Sequence, residues 1–240
     1  MLPEMLAVNG RILRMPIELT PTKMAIRVAA RKLASLARAR RPMMFPTYSQ
    51  HVANRIEKYH DEIRYSTIAL ALQRLELDKI PGAYAEVGVF QGATSSFIHQ
   101  QVPYRDFYLF DTFEGFPSED EEAREDPRFA ETSVEAVSKY LGRSSHLHFR
   151  KGFFPETSAG LEDEKFAFVM LDVDYYSPAL ATLQFFYPRM SRGGYFMMHD
   201  FNTNESDCAV SRAAYEFMAD KPEMLIEIPD FYGSALFRKI

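Results

Sequence analysis

The sequence lacks the features that mark secreted and membrane proteins. It contains one cysteine, Cys208, so no internal disulfide can form, and this suits a reducing cytosol. No apolar run reaches the roughly 18–20 residues that a membrane-spanning helix needs. The N-terminal residues show no compact apolar segment followed by a small-residue cleavage site, so we expect no signal peptide. These absences predict a cytoplasmic protein without a transmembrane segment.

Three common motifs of nucleotide and hydrolase chemistry are also absent. There is no Gly-x-Gly-x-x-Gly loop to bind a pyrophosphate, which weighs against an oxidoreductase that uses a dinucleotide. There is no Walker-type phosphate loop and no Gly-x-Ser-x-Gly turn, which weighs against P-loop enzymes and α/β-hydrolases.

The charge of the chain is unevenly distributed. The net charge is −5, yet residues 1–45 carry nine lysines and arginines against two glutamates. We therefore divide the chain into a basic helical extension, 1–45, and a domain, 46–240. The extension could contact its own acidic domain, join copies of the chain as a homo-oligomer, bind an anionic surface, or remain a solvated tail. Nucleic acid is the weakest of these partners, because basic and aromatic residues do not alternate later in the chain.

Short apolar runs alternate with helical stretches along residues 46–240, which is typical of a doubly wound, mostly parallel α/β sheet. The predicted strands of the parallel sheet are Ala83–Val89, Phe107–Phe110, His146–Arg150, Phe166–Leu171 and Tyr195–Met198. The predicted helices include 54–77, 133–141, 178–186 and 209–218. Two final strands, 224–228 and 234–238, predict an antiparallel hairpin at the edge of the sheet.

The stretch Ala83–Ser96 combines a buried strand, a glycine turn at Gly88 and Gly92, and the start of a helix. In α/β folds this arrangement forms the crevice for a nucleotide-like ligand. Asp111 ends the next apolar run, where an acid can accept hydrogen bonds from both hydroxyls of a ribose. The turn 151–155 lies where an adenine would rest against an aromatic ring. A nucleoside with a small charged tail fits this pattern better than a dinucleotide.

Two later strands end in groups that bind cations or protons. Asp172 and Asp174 follow one apolar run, and His199 and Asp200 follow the next. Carboxylates at one sheet edge repel each other unless they share a cation or a proton, so this set predicts Mg²⁺ or another divalent cation. One of the first pair could bind the metal while the other takes a proton from the substrate. Two plainer interpretations stay open: Asp174 could cap the following helix, and His199 could be a structural histidine.

An acidic stretch, 118–128, follows Asp111 closely along the chain. It contains six aspartates and glutamates, which is typical of a solvated loop. Its place beyond the carboxyl edge of the sheet also suits a mobile lid over the ligand crevice.

Three motifs, in this order, resemble the macrocin O-methyltransferase family. They are IPGAYAEVGVFQGATSS, FDTFEGFP and FVMLDVDYYSPALATLQFFYPRMSRGGYFMMHDFN, and the resemblance covers roughly residues 60–240. It implies a Rossmann-like class I methyltransferase that uses S-adenosylmethionine and Mg²⁺. Its acceptor would be a small molecule or saccharide, and its reaction the methylation of a sugar hydroxyl on a glycosylated natural product.

The resemblance also implies which residues contact the cofactor. They are Glu86, Gly88, Thr94, Ser95, Asp111, Gly152 and Phe153. The first four would line the methionine end, the aspartate would hold the ribose, and the last two would flank the adenine. Asp172 would lie beside them.

For the chemistry, the resemblance implies that Asp172 binds the metal and shares in catalysis with Asp174, the general base. Asp200 would be a second metal ligand. His199 stands where the family often has another acid, so it would be either a weaker ligand or a group that contacts the ligands from behind. The site would then be softer than a Mg²⁺ site, looser or vacant.

The sequence therefore leaves two functions open. The first is a metal-assisted O-methyltransferase that acts on a sugar. The alternative is an inactive S-adenosylmethionine-binding partner or scaffold, which only His199 and the basic extension favour.

Overall fold

The computed structural model describes residues 50–56, 58–59, 61–116, 128–204 and 206–240, together with two short strands nearer the N-terminus. Those strands, β1 (Ala7–Val8) and β2 (Arg11–Ile12), pair antiparallel within the unit Met1–Pro46. The other residues of the basic extension, with its predicted helix, lie outside the described residues. So do all residues of the acidic stretch 118–128 except the last. The roles considered for the extension and for an acidic lid stay predictions.

Seven strands form one sheet in the unit Thr47–Ile240. They are β3 (Ala83–Val87), β4 (Phe107–Asp111), β5 (Leu147–Lys151), β6 (Phe166–Leu171), β7 (Met190–Met198), β8 (Ile226–Ile228) and β9 (Ser234–Arg238). Their order is β5-β4-β3-β6-β7-β9-β8, parallel from β5 to β7, whereas β9 pairs antiparallel with both β7 and β8. The predicted mostly parallel sheet with a C-terminal antiparallel hairpin is confirmed.

Helices cover both faces of this sheet. They are α1 (Gln50–Ile56), α2 (Glu62–Leu77), α3 (Ala93–Gln101), α4 (Val134–Leu141), α5 (Tyr176–Phe186) and α6 (Ala209–Met218). Adjacent residues of β6 face opposite layers, as the pleat of a strand requires. Val169 packs in the cluster that contains Leu183 of α5, and Phe168 packs in the cluster that contains Leu72 of α2. Both β3 and β6 are therefore buried along their whole length.

The prediction of one helix over 54–77 was wrong. The chain forms α1 and α2 with a break between them, because Asp61 caps the N-terminus of α2. Its Oδ1 atom accepts a hydrogen bond from the Arg64 backbone N–H at 3.1 Å. An aspartate side chain that binds the first free N–H groups of a helix competes with helix continuation from the residues before it.

Strand β7 starts five residues before the predicted Tyr195 and includes Gly193 and Gly194. A Cβ atom on Gly194 would lie 2.8 Å from the Ala167 carbonyl oxygen, so glycine permits a close approach of β7 to β6. The register between these strands is irregular at the same place, between Phe166 and Phe168. Among the described residues, no helix is long and apolar enough to span a membrane.

Candidate active site

A cavity of about 610 Å³ opens at the carboxyl ends of β3, β4, β6 and β7. This volume is typical of a site for a small-molecule ligand. The predicted site residues that line it are Glu86, Gly88, Thr94, Asp111, Gly152, Phe153, Asp172, Asp174, His199 and Asp200. They come together because the carboxyl ends of parallel strands meet at one edge of the sheet.

The turn after β3 brings two parts of the cavity wall into contact. Gly88 has a φ angle of +90°, and a Cβ atom there would lie 1.9 Å from the Asp172 carbonyl oxygen. A larger residue would therefore collide with the backbone at the end of β6. Gly88 therefore allows the turn after β3 to contact the backbone at Asp172, at the end of β6.

Glu86 is buried in the centre of the sheet, with 1% of its surface exposed. Burial raises the pKa of its carboxyl well above the ordinary value, and the Ser95 hydroxyl, which donates to Glu86 Oε2, opposes this only in part. Glu86 therefore keeps its proton at a higher pH than an exposed glutamate does. Ser95 is fully buried, so the structure places it behind Glu86, where it would act on a ligand through that carboxyl.

Asp111 is already engaged by the backbone around it. Its Oδ2 atom accepts from the Val89 and Phe90 N–H groups at 2.7 and 2.9 Å, and its Oδ1 atom accepts from Phe113 N–H at 2.6 Å. A carboxylate has about four acceptor positions in all. Backbone N–H groups use three, and the Thr112 hydroxyl, which also contacts the Gly115 carbonyl, lies 3.4 Å from Oδ1. Asp111 therefore fixes the turns beside it and has at most one acceptor position left, fewer than two ribose hydroxyls would use.

An aromatic group that sequence reasoning missed lines the cavity beside Phe153. Phe116 meets Phe129 and Tyr175 edge-to-face, with ring centres 5.6 and 5.3 Å apart, and Phe90 meets Phe129 at 5.0 Å. These rings give the cavity an apolar wall. No regular spacing in the sequence links them, because they come from separate segments of the chain.

Asp172, His199 and Asp200 form the compact polar part of the cavity. One ligand atom from each lies within 4.8 Å of the others. His199 Nδ1 lies 2.9 Å from Asp172 Oδ1 and 3.0 Å from Asp200 Oδ2, and its Nε2 lies 3.1 Å from the Phe231 carbonyl oxygen. A carbonyl oxygen only accepts, so Nε2 carries a hydrogen. Nδ1 faces two carboxylates and is therefore suited to hold a proton or a metal cation.

Charge in this cluster shifts both partners toward their ionised forms. Burial lowers the pKa of His199, but the charge of Asp172 and the hydrogen bonds that the imidazole makes to Asp172 and Asp200 outweigh it and raise that pKa to about 10. Burial raises the pKa of Asp172, but His199 and Arg64 outweigh it and hold it below the ordinary value. The cluster is a carboxylate–imidazolium pair when no metal is bound.

Arg64, in the first turn of α2, is a second cation that sequence reasoning missed. Its Nη1 atom lies 3.5 Å from Asp172 Oδ2, so the two oxygens of Asp172 face different positive groups. The Arg64 Nε atom is buried and makes no hydrogen bond within the described part of the chain. Arg64 lines the cavity, and its Nε lies 3.9 Å from Asp61 Oδ2.

Asp174 lies in the same cavity but outside the three-residue cluster. Its Oδ1 atom is 3.9 Å from Arg128 Nη1. Helix α5 begins at Tyr176 with Tyr175 at the N-cap position, so Asp174 precedes the cap rather than forming it. This leaves its carboxylate on the cavity wall, next to the cluster.

The donors of the cluster fit a divalent cation. Two carboxylate oxygens and one imidazole nitrogen suit Mn²⁺, Fe²⁺ or Zn²⁺ as well as Mg²⁺. The contact between His199 Nε2–H and the Phe231 carbonyl is of the kind that orients a histidine for metal binding. A cation would take the place of the proton on Nδ1.

Most of the domain matches one family of known proteins. The family model described as macrocin-O-methyltransferase (TylF) matches residues 61–234. Mycinamicin III 3''-O-methyltransferase of Micromonospora griseorubida is 27% identical over 144 residues, which cover 52% of this chain and 57% of that protein. A rhamnosyl-tetracenomycin-C 4'-O-methyltransferase of Streptomyces olivaceus is 25% identical, covering 58% of this chain and 60% of that protein. The chain thus aligns with less than two thirds of the length of these relatives.

Solved structures share the fold. The O-methyltransferase NovP superposes with a TM-score of 0.63 at 22% identity, covering 74% of this chain and 80% of that one. The calicheamicin methyltransferase CalS11 superposes with a TM-score of 0.57 at 19% identity, covering 97% of this chain and 98% of that one. All of these relatives carry methyltransferase names, which gives no support to an inactive scaffold.

Proposed function

Because the chain belongs to the macrocin O-methyltransferase family, we propose that it transfers the methyl group of S-adenosylmethionine to a sugar hydroxyl. The observation that carries this proposal is the shared cavity. A glycine turn suited to a nucleoside and a cluster of acids suited to a reacting hydroxyl line the same space of about 610 Å³. The two relatives are named for methylation at 3'' and 4' positions, one on a rhamnosyl group, which supports a sugar acceptor.

The cofactor would occupy the part of the cavity nearest β3, β4 and β5. Glu86, Gly88 and Thr94, which line the cavity, would contact its methionine end, and Gly152 and Phe153 would flank its adenine. Asp111 would accept from one ribose hydroxyl with its remaining acceptor position. Holding cofactor and acceptor in line replaces a collision of two molecules by a reaction within one complex.

Asp174 is the candidate general base. A sugar hydroxyl is a weak nucleophile at neutral pH, so a carboxylate in hydrogen-bond reach helps by taking its proton as the oxygen attacks the methyl carbon. S-adenosylmethionine would supply the methyl group and leave as a neutral thioether, and the aromatic wall would keep water from the methyl group. Arg128 Nη1, 3.9 Å from Asp174 Oδ1, would help to orient this carboxylate.

Asp172, Asp200 and His199 would hold a divalent cation, with Mg²⁺ and Mn²⁺ the first candidates. When bound, such a cation lowers the pKa of the hydroxyls that contact it. Asp172 and Asp200 would orient the acceptor hydroxyl toward Asp174. The remaining parts of this proposal are a glycosylated natural product or saccharide as acceptor, a cytoplasmic location and homo-oligomer contacts through the N-terminal extension.

The role of Asp174 can be tested by transfer of a labelled methyl group from S-adenosylmethionine to a panel of rhamnosyl glycosides. We expect Asp174→Asn to lower kcat by roughly 10²–10⁴-fold, the usual contribution of a general base, with unchanged cofactor affinity. Asp163→Asn, which removes an exposed acid, is the matched control and should keep full activity. Full turnover by Asp174→Asn with normal cofactor binding would show that Asp174 is not the base.

A further inference from the structure

Five residues, two of them from the cluster of Asp172, His199 and Asp200, form a closed ring of contacts. Asp61 Oδ2 accepts from the Phe231 N–H at 3.1 Å, and the Phe231 carbonyl accepts from His199 Nε2–H at 3.1 Å. The ring continues from His199 Nδ1 to Asp172 at 2.9 Å and from Asp172 to Arg64 at 3.5 Å. It closes between Arg64 Nε and Asp61 Oδ2 at 3.9 Å. The N-terminus of α2 is thus joined to the loop between β8 and β9, 170 residues later.

We propose that Asp61 is a positioning residue for the His199 imidazole and acts through the backbone N–H and carbonyl groups of Phe231. Asp61 holds the N–H of Phe231, and the carbonyl of that residue holds His199 Nε2–H. The orientation of the His199 imidazole then directs Nδ1 between Asp172 and Asp200. The metal-related part of this inference rests on the function proposed above, whereas the positioning of the ring does not.

The side chain of Phe231 contributes little to fixing this part of the backbone, because it lies mostly in solvent. The Tyr232 ring meets Phe231 at 4.5 Å and His199 edge-to-face at 6.3 Å. Phe231 is 66% exposed and Tyr232 is 42% exposed, and Tyr232 has a left-handed φ of +66° that a tyrosine rarely adopts. The backbone of the following residues is held by Phe201, whose N–H donates to the Gly233 carbonyl at 3.0 Å. A strained conformation persists only where neighbouring contacts determine it. For Phe231 itself, the N–H contacts Asp61 and the carbonyl oxygen contacts His199, while the next carbonyl, that of Tyr232, accepts from the Asn202 N–H at 3.2 Å.

The two carboxylate oxygens of Asp61 accept different hydrogen bonds. Oδ1 caps α2 through the Arg64 N–H, and Oδ2 holds Phe231. A serine can cap a helix through its shorter side chain but cannot reach a second, distant N–H group. Asp61→Ser therefore keeps the cap and removes the contact with the loop.

The experiment compares full-length wild type, Asp61→Ser and Asp61→Ala. A matched control is Ser133→Ala, which removes the cap of α4, where Ser133 Oγ accepts from Ala136 N–H at 3.1 Å. The readouts are the exchange rate of the His199 Nε2–H proton by ¹⁵N NMR without metal, and Mn²⁺ and S-adenosylmethionine affinities by calorimetry. Thermal melting reports loss of a cap.

We expect Asp61→Ser to speed exchange of the His199 Nε2–H and to weaken Mn²⁺ binding about 10–100-fold, as loss of an outer contact to a metal-binding histidine does. Its cofactor affinity and melting temperature should stay near wild type. Asp61→Ala should add a loss of melting temperature similar to that of Ser133→Ala, which should leave His199 unchanged.

The inference is overturned if Asp61→Ser leaves both the His199 proton and Mn²⁺ affinity as in wild type, because Asp61 is then only a helix cap. If wild type binds no Mn²⁺, the proposed metal site fails, and the exchange rate alone decides the role of Asp61. Should the serine variant fail to fold, Asp61→Asn replaces it, because its amide nitrogen cannot accept from Phe231 when its oxygen caps the helix.

Discussion

The cavity has two halves, one proposed for the cofactor and one proposed for a metal, and the pKa shifts of their carboxyl groups run in opposite directions. In the cofactor half, defined by Glu86, Gly88 and Asp111, the partners are a hydroxyl and backbone N–H groups. In the metal half, defined by Asp172, His199 and Asp200, they include an imidazolium and the Arg64 guanidinium. The pKa of Glu86 is accordingly raised, and the pKa of Asp172 is lowered. Burial alone does not decide ionisation; the charge of the nearest partners does.

The halves also differ in how far apart their contacts lie along the chain. Glu86 and Ser95 are nine residues apart, and Asp111 reaches back 21 and 22 residues to the glycine turn. In the metal half, His199 contacts Asp172 across 27 residues, and Asp61 contacts Phe231 across 170. The cofactor half is thus built from neighbouring segments, and the metal half depends on the complete fold.

The largest effect is expected where the halves touch. Gly88→Ala places a methyl group against the Asp172 carbonyl, and we expect a loss of more than about 4 kcal/mol in the free energy of unfolding. Gly142→Ala is the matched control, since Gly142 has a similar φ of +86°, but a methyl group there would meet no atom of the described residues within 4 Å. It should cost only the backbone strain of about 1–3 kcal/mol. Equal losses in urea unfolding would show that the contact at Gly88 is unimportant.

A smaller effect is expected when the metal half loses one charge. Asp172→Asn leaves His199 and Arg64 without their shared carboxylate, and breaking a buried ion pair costs about 3–5 kcal/mol. We expect the lower end of this range, because the Asp172 side chain is 19% exposed.

Asp106 provides the matched control for this substitution. Its Oδ1 atom also contacts two imidazoles, His146 at 3.1 Å and His148 at 2.9 Å, but its side chain is 54% exposed. Asp106→Asn should cost at most about 1 kcal/mol in metal-free urea unfolding. Similar losses for the two variants would contradict the view that burial gives the metal half its strong coupling.

The smallest expected effect is the change in the free energy of unfolding with pH. Above about pH 4.5, the ordinary value for a glutamate, unfolded chains release a proton that folded Glu86 keeps, so stability should fall as pH rises. His199 adds a loss only above pH 6.5, as its stabilisation disappears toward its pKa of about 10. Each group contributes a slope of at most about 1.4 kcal/mol per pH unit.

Of these two groups, only Glu86 lowers the stability between pH 4.5 and 6.5, and His199 adds its own loss above pH 6.5. Glu86→Gln should flatten the fall in stability between pH 4.5 and 6.5, and His199→Gln should flatten it between 6.5 and 10. Asp172 has the opposite sign, because its stabilisation is lost as pH falls below the ordinary value of 3.8. The measurement is urea unfolding with a chelator at half-unit pH steps. A Glu86→Gln profile that matches wild type below pH 6.5 would contradict the raised pKa.

The parallel sheet could be predicted because its strands are continuous apolar runs, such as Phe166–Leu171. The start of β7 could not, because Gly193 and Gly194 interrupt the apolar pattern although they serve a close strand contact. The break between α1 and α2 had a signal, since Asp61 followed by Glu62 is typical of a helix start. The apolar stripe that continues across the break concealed it.

The candidate site could be predicted where its residues end strands. Asp172 and His199 could be assigned to one edge because parallel strands align their carboxyl ends. Arg64 and Phe231 could not, because they reach the cluster from a helix start and a hairpin loop, with no motif that links them. Sequence patterns report local periodicity, and the contacts of these two residues depend on tertiary packing.

The most direct test of a cavity with two separate halves is calorimetric titration of S-adenosylmethionine, and separately of Mg²⁺ and Mn²⁺, into wild type and Asp172→Asn. We predict that both proteins bind S-adenosylmethionine with similar affinity, and that only wild type binds the divalent cation. Loss of cofactor and cation binding together in the variant would contradict the separation of the halves. Absence of cofactor binding by wild type would contradict the proposed function itself.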